Sequence, residues 1–303
     1  MIEVNQLSKR YGTTIAVNGL SFTVRPGHVT GFLGPNGAGK TTTLRMILGL
    51  ISPTSGSATI DGRPFRDRPR GLRHVGALLD ANGVHGGRSA AAHLSALARS
   101  NGVPRQRVHE VLREVGLGTV SGRRIGALSL GMKQRVGIAA ALLGDPPVLM
   151  FDEPFNGLDP EGVAWVRSLF VRLAGKGRTV FVSSHLMSEM ENTADELIVI
   201  GRGELIAAET VAEFSARSAR LSVTVRTPES AALTAALTAA RAAVRPAADG
   251  SLVVTGLGAA RIGQLAFEHH IVLHELATRT ASLEEAFMEL TADSVEYLAG
   301  DPR

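Results

Sequence analysis

Near the amino end, Gly34-Pro35-Asn36-Gly37-Ala38-Gly39-Lys40-Thr41 sets two glycines around four residues and follows them with Lys and Thr. This is the spacing of a phosphate-binding loop. Polyphosphate needs many N–H donors converging on one concavity, and glycines let the backbone curl to supply them. The helix start that follows adds positive potential. Lys40 can neutralise β- and γ-phosphate charge, and the Thr41 hydroxyl can ligate Mg²⁺. A carboxylate must complete such a metal site. Val148-Leu149-Met150-Phe151-Asp152 offers one at the end of an apolar run, and Glu153 follows at once as a candidate general base for an attacking water. A third cluster, Leu128-Ser129-Leu130-Gly131-Met132, precedes a helical pattern carrying Lys133, Gln134 and Arg135. Ser129 at an N-cap would offer a hydroxyl, free amides and a helix dipole to a phosphate.

The elements that must position these residues alternate strand and helix up to about residue 209. Ile2–Leu7 and Ile15–Val24 alternate as half-buried strands, and Val29–Leu33 reads as a buried strand ahead of a helix over Gly39–Leu50. Helical pieces follow at Ser89–Arg99, Pro104–Val115 and Leu130–Leu143. Val75–Leu79, Val148–Phe151, Thr179–Ser183 and Leu197–Ile200 are apolar strands. The pattern predicts an α/β fold with a mainly parallel sheet covered on both faces. Beyond about residue 215 the glycine clusters stop. Strands at Leu221–Val225, Leu252–Thr255 and Ile271–Leu276 are expected around helices at Glu229–Ala243 and Ala259–Glu268. Ser282 and Glu285 form a capping box before a helix with Leu283, Phe287 and Leu290 on one face. This is a small α+β module with no visible chemistry.

Composition narrows the classes. A chain of 303 residues suggests about two domains. With 44% hydrophobic and 20% charged residues it is globular rather than disordered. The absence of cysteine excludes disulfides, zinc fingers, iron–sulfur clusters and a cysteine nucleophile. A net charge of +4 is too weak a field to demand nucleic acid, and aromatics at 4% supply few stacking platforms. Arg63, Arg66, Arg68, Arg70 and Arg73 face one Asp67 and read as a solvated surface segment. Met1–Arg10 has no secretory-signal pattern, and Val136–Phe151, the longest apolar candidate, is interrupted by Gly144, Asp145, Pro146 and Pro147. A cytosolic chain without membrane spans is therefore expected.

Taken together, the motifs resemble the ATP-binding cassette of ABC transporters. Gly34–Thr41 is similar to the family's Walker A loop, Leu128–Met132 to its signature, and Val148–Asp152 with Glu153 to Walker B and the catalytic acid. Gly157-Leu158-Asp159 matches the D-loop, and His185 matches the switch histidine. The resemblance covers residues 2–209. It implies a P-loop fold of ABC type with an antiparallel β subdomain and a helical subdomain at about residues 82–145. The cassette would span 1–215 and a C-terminal α+β accessory domain 216–303. It implies ATP and Mg²⁺ as cofactors. ATP would be bound by Tyr11, stacking on adenine, and by Gly34, Pro35, Asn36, Gly37, Ala38, Gly39, Lys40, Thr41 and Thr42. Glu153 and His185 would be catalytic, and Thr41, Asp152 and Asp80 would face the metal. Two cassettes would pair head to tail, with Ser129, Leu130, Gly131 and Met132 reaching the other copy's nucleotide and Asp159 in the D-loop. Two departures stand out. Leu130 and Met132 replace the usual Gly and Gln of the signature, and Asp80 stands where the family usually has the Q-loop glutamine.

Asp80, the run Asp152-Glu153-Pro154-Phe155-Asn156-Gly157-Leu158-Asp159 and the closing Ser282-Leu283-Glu284-Glu285-Ala286-Phe287 are most similar to ATPase subunits of ABC-2 type exporters of drugs and antibiotics. That resemblance implies a separate membrane permease, a homodimer of cassettes, no specific nucleic acid, and a place at the inner face of the cell membrane. Two other readings compete: a soluble ABC-type ATPase acting on ribosomes or DNA, and a switch that binds ATP without hydrolysis. Against the first, no heptad run separates Lys40 from Asp152. Against the second, both Glu153 and His185 are present.

Overall fold

The computed structural model describes residues 1–81, 83–218, 221–247, 249–280, 284, 287 and 291. They fall into two compact units, Met1–Val211 together with Thr291, and Ala212–Glu289. In chain order the first unit contains β1 (Ile2–Tyr11), β2 (Thr14–Val24), β3 (Val29–Leu33), α1 (Lys40–Ile47), β4 (Ser55–Ile60), β5 (Val75–Leu78), α2 (Ala90–Ser100) and α3 (Arg105–Glu114). It continues with α4 (Leu130–Leu142), β6 (Val148–Asp152), α5 (Pro160–Ala174), β7 (Thr179–Ser184), α6 (Met187–Glu191), β8 (Glu196–Gly201) and β9 (Glu204–Thr210).

Two sheets form. The antiparallel one has the order β2-β1-β4, with Ile2 opposite both Val24 and Ile60. Gln6, at φ 45°, sits in a register break between Val4 and Leu7, so Leu7 rather than Gln6 returns to the buried face. The larger sheet has the order β5-β6-β7-β3-β8-β9, parallel except for β9. All five residues of β3 and of β6 are buried, as expected of parallel strands covered on both faces. Phe22 of the first sheet meets Phe32 and Phe181 of the second, with ring centroids 5.7, 5.9 and 5.2 Å apart in the three pairs. Phe151 of β6 packs on Phe170 of α5 at 4.6 Å. Each such pair is worth about 0.5–1.5 kcal/mol beyond its area burial, and together they fix the strands whose carboxyl ends carry the chemistry. Helices α2, α3 and α4 pack on one another.

The second unit contains β10 (Leu221–Arg226), α8 (Ser230–Ala239), β11 (Ala243–Pro246), β12 (Leu252–Thr255), α9 (Ala259–Glu268) and β13 (Glu275–Thr280). Helix α7 (Val211–Ser218) precedes them. The βαββαβ order and the antiparallel sheet β11-β12-β10-β13 make it a split βαβ, or ferredoxin-like, unit. Val223, Val225, Leu233, Leu237, Val254 and Ile262 fill its core.

Several expectations shift. The first helix stops at Ile47, because Gly49 turns left-handed at φ 64° just beyond it. The alanine-rich helix ends at Ala239. Arg241, at φ 64°, breaks it, and Ala243–Pro246 pairs with β12 as a strand. The strand expected at Ile271–Leu276 begins instead at Glu275, opposite Arg226, while Ile271 is buried in the core ahead of it. Strands β4 and β9 were not legible in the residue pattern. Of the arginine cluster, Arg63, Arg66, Arg70 and Arg73 are exposed and only Arg68 is half-buried; Arg68 and Arg73 donate to the carbonyls of Ile60 and Gly102. Ser282, Glu285, Leu283 and Leu290 lie outside the described residues; Glu284 and Phe287 are helical, and Phe287 is buried.

Candidate active site

The phosphate loop links the buried end of β3 to the first turn of α1. Gly39 caps α1 at φ 99°, and a β-carbon there would stand 2.5 Å from the Ala16 carbonyl oxygen. A β-carbon on Gly34 would stand 2.5 Å from the Ile200 carbonyl oxygen. Glycine is thus required twice, once by backbone conformation and close approach and once by close approach alone. The Lys40 ammonium donates to the carbonyls of Gly34 at 2.6 Å and Pro35 at 3.2 Å, and lies 3.5 Å from Glu153 Oε1. Burial pulls the Lys40 pKa below the ordinary lysine value, and the Glu153 carboxylate works in the opposite direction.

Strand β6 delivers the acids. Asp152 is paired in register with Ser183 of β7, so two neighbouring strand ends present polar side chains at one edge. Thr41 Oγ1 donates to Asp152 Oδ2 at 2.6 Å, and the Ser183 hydroxyl donates to Asp152 Oδ1. A hydroxyl and a carboxylate side by side form an oxygen-only pair that suits a hard divalent cation. Glu153 takes φ 48°, a left-handed conformation that costs a non-glycine residue about 1–2 kcal/mol. Its N–H donates to Ser183 Oγ at 3.0 Å, and its carbonyl accepts from Gln134 Nε2 at 3.1 Å. These bonds turn the carboxylate away from the strand, where Oε2 meets His185 Nδ1 at 2.8 Å. With a carboxylate as acceptor, Nδ1 carries the proton. Lys40, Thr41, Asp152, Glu153 and His185 therefore form one connected cluster.

The other residues singled out from the sequence sit as follows. Ser129 caps α4 and accepts from the Met132 N–H at 3.2 Å. Leu130 and Gly131 lie against Gly157 and Leu158 of the same chain. Asp159 caps α5, accepting from the Gly162 N–H at 2.8 Å. Asp80 follows β5, which pairs with β6 as far as Leu78 opposite Phe151, so it emerges at the sheet edge that carries Asp152. Tyr11 ends β1, half exposed, with the Lys9 ammonium 5.0 Å from its ring centre. The same hairpin brings Ala16 against Gly39. Pro35, Asn36, Gly37 and Ala38 form the turn of the loop, and Thr42 lies in the first turn of α1. Three residues around the cluster, Ser183, Gln134 and Glu189, are given no role by the sequence. Burial pushes the Glu189 carboxyl up, against the pull of the Ser184 hydroxyl that donates to it. The available signal for Ser183 was a pair of serines closing an otherwise apolar strand.

Comparison with known proteins gives concordant results. Residues 17–156 match a family described as ABC transporter, and residues 221–284 match a domain of unknown function. The chain is 43% identical over 209 residues to the bacitracin transport ATP-binding protein BcrA of Bacillus licheniformis, covering 68% of each chain. It is 34% identical over 300 residues to the uncharacterized ABC transporter ATP-binding protein YhcH of Bacillus subtilis (strain 168), covering 98% of this chain and 97% of that one. Among solved structures, an ATP-binding subunit of an ABC transporter superposes with a TM-score of 0.66 at 28% identity, over 72% of this chain and 92% of the other.

Proposed function

The chain belongs to the ABC transporter family as one of its ATP-binding subunits, and on that premise we propose that it powers export of an antibiotic through a separate membrane permease. It is an ATPase and binds ATP. The single observation carrying the mechanism is the cluster at the carboxyl ends of β3, β6 and β7. Lys40 and the loop amides of Gly34–Thr42 hold the phosphates, and Tyr11 stacks on adenine. Thr41 and Asp152, with Asp80 at the same sheet edge, would hold Mg²⁺, which when bound would supply neutralisation of the phosphate charge. Glu153 accepts the proton of the attacking water, and His185 fixes the direction of that carboxylate through its Nδ1–H.

A second copy completes each site with Ser129, Leu130, Gly131 and Met132, and Asp159 lies at the seam. Residues 1–215 act as the cassette and 216–303 as an accessory domain. Among the described residues no helix is long and apolar enough to cross a membrane, which fits a subunit held at the inner membrane face by its permease. An antibiotic cargo rests on the bacitracin relative. Glu153→Gln, co-expressed with the permease, is expected to lower turnover about 10²–10⁴-fold, to retain ATP in a paired form visible by light scattering, and to abolish bacitracin resistance. Unchanged turnover would reassign the base. Full turnover in wild type without any gain in resistance would overturn the antibiotic cargo.

A further inference from the structure

Helix α4 begins at the signature and ends its first turns against the residue read as the base. Gln134 is nearly fully buried, 4% exposed, and its side-chain amide donates to the Glu153 carbonyl at 3.1 Å. That carbonyl belongs to a left-handed residue whose geometry must be imposed from outside, since its own sterics oppose it. Ser183 holds the N–H side of Glu153 and Gln134 the carbonyl side, where the Asn156 N–H adds a longer bond at 3.3 Å.

The same face of α4 has a second hold on this stretch. Leu130 stands four residues before Gln134, one helical turn away. Its Cδ2 lies 2.2 Å from where a β-carbon on Gly157 would be. Arg135 stacks on Trp165 of α5 with its guanidinium carbon 4.7 Å from the ring centre, and donates to the Val115 carbonyl at 3.1 Å. The segment from Glu153 to Trp165 is therefore seated on α4 at three places.

We propose that Gln134 is a positioning residue for Glu153, and that through it α4 ties the signature of each subunit to that subunit's own base. This rests on the reading of Glu153 as the base. A change at Ser129, brought about by the nucleotide of the other copy, reaches Glu153 along about one and a half turns of helix and one hydrogen bond. The Leu130 substitution strengthens the connection, because a glycine at that position would leave Gly157 uncovered.

The test is steady-state ATPase kinetics of the full chain. Gln134→Met keeps the volume and removes the donor. It is expected to lower kcat about tenfold with KM for ATP unchanged, the scale set by loss of one neutral hydrogen bond. In a Glu153→Gln background the same substitution should cause no further loss, since there is no base left to misplace. Should Met not be tolerated in the core, Gln134→Asn retains an amide too short to reach and is expected to give the same kcat loss, with ATP binding reporting the fold. A kcat within twofold of wild type, or an equal loss in the Glu153→Gln background, overturns the positioning role. Normal turnover by Glu153→Gln alone would instead remove the reading beneath it.

Discussion

Ser183→Ala isolates what holds the two acids in place. The hydroxyl is wholly enclosed, donates to Asp152 Oδ1 and accepts the Glu153 N–H at 3.0 Å. Alanine removes one oxygen and leaves both groups without that partner in a site too enclosed for water to substitute. A hydrogen bond to a charged group contributes about 1.5–3 kcal/mol and a neutral one about 0.5–1.5 kcal/mol. Asp152 keeps the Thr41 hydroxyl, so the loss is expected at about 2–4 kcal/mol in the first unit. Urea unfolding followed by circular dichroism measures it as a fall in midpoint at constant m-value. Turnover should fall as well, because the Glu153 backbone then loses the hold on its N–H side. A cycle with Asp152→Asn separates the two bonds: the double variant should lose less than the sum of the singles, by about the charge-assisted share of 1.5–3 kcal/mol. A Ser183→Ala loss under 0.5 kcal/mol, with additive singles, would show that the hydroxyl holds neither acid and that Glu153 keeps its left-handed turn by other means.

Three further outcomes follow from the same cluster. Lys40→Met should weaken ATP binding about a hundredfold or more by loss of a charge-assisted contact, measured by isothermal titration. Because burial lowers the Lys40 pKa, wild-type stability should rise with pH as the ammonium is lost, below the ordinary value of 10.5, and that slope should vanish in the Met variant. Burial raises the Glu189 carboxyl, so the folded state binds its proton more tightly and stability should fall as pH rises above about 4.5; Glu189→Gln should flatten that fall in urea titrations from pH 4 to 8. Gly157→Ala should cost about 2–4 kcal/mol, from a side chain at φ 76° and a β-carbon 2.2 Å from Leu130 Cδ2, and Leu130→Ala in the same chain should recover the steric part, about 1–3 kcal/mol, in thermal unfolding.

Buried parallel strands announced themselves, because both faces are covered and most of their residues are apolar. β3 matches its expected bounds, and β6 differs only by including Asp152. Edge strands did not. β4 reads Ser-Gly-Ser-Ala-Thr-Ile, mostly polar because one side meets solvent, and its pairing to β1 is a long-range fact that no local pattern carries. In the second unit the apolar residues Ile271 and Leu273 suggested a strand by alternation, yet they pack under the sheet without pairing, and pairing starts at Glu275 where side chains are half exposed. Hydrophobic period reports burial, and burial coincides with a strand only when the backbone also finds a neighbour.

The active-site cluster divides along the same line. Gly34, Gly39, Lys40, Thr41, Asp152 and Glu153 were legible because each pair is close in sequence and the spacing itself is the signal. Ser183 and Gln134 were not, because their roles arise from register and from a helix face. Asp152 stands opposite Ser183 only once β6 and β7 are aligned, and Gln134 reaches Glu153 only once α4 lies across the end of β6. These two residues make no chemistry of their own. They supply the N–H acceptor and the carbonyl donor that let Glu153 keep a conformation unfavourable for its type, and so determine where its carboxylate points. A loop motif thus brings the reacting groups into one neighbourhood, whereas their aim depends on side chains contributed by adjoining elements. Variation at those two positions should therefore change turnover more than nucleotide affinity, which depends on the loop.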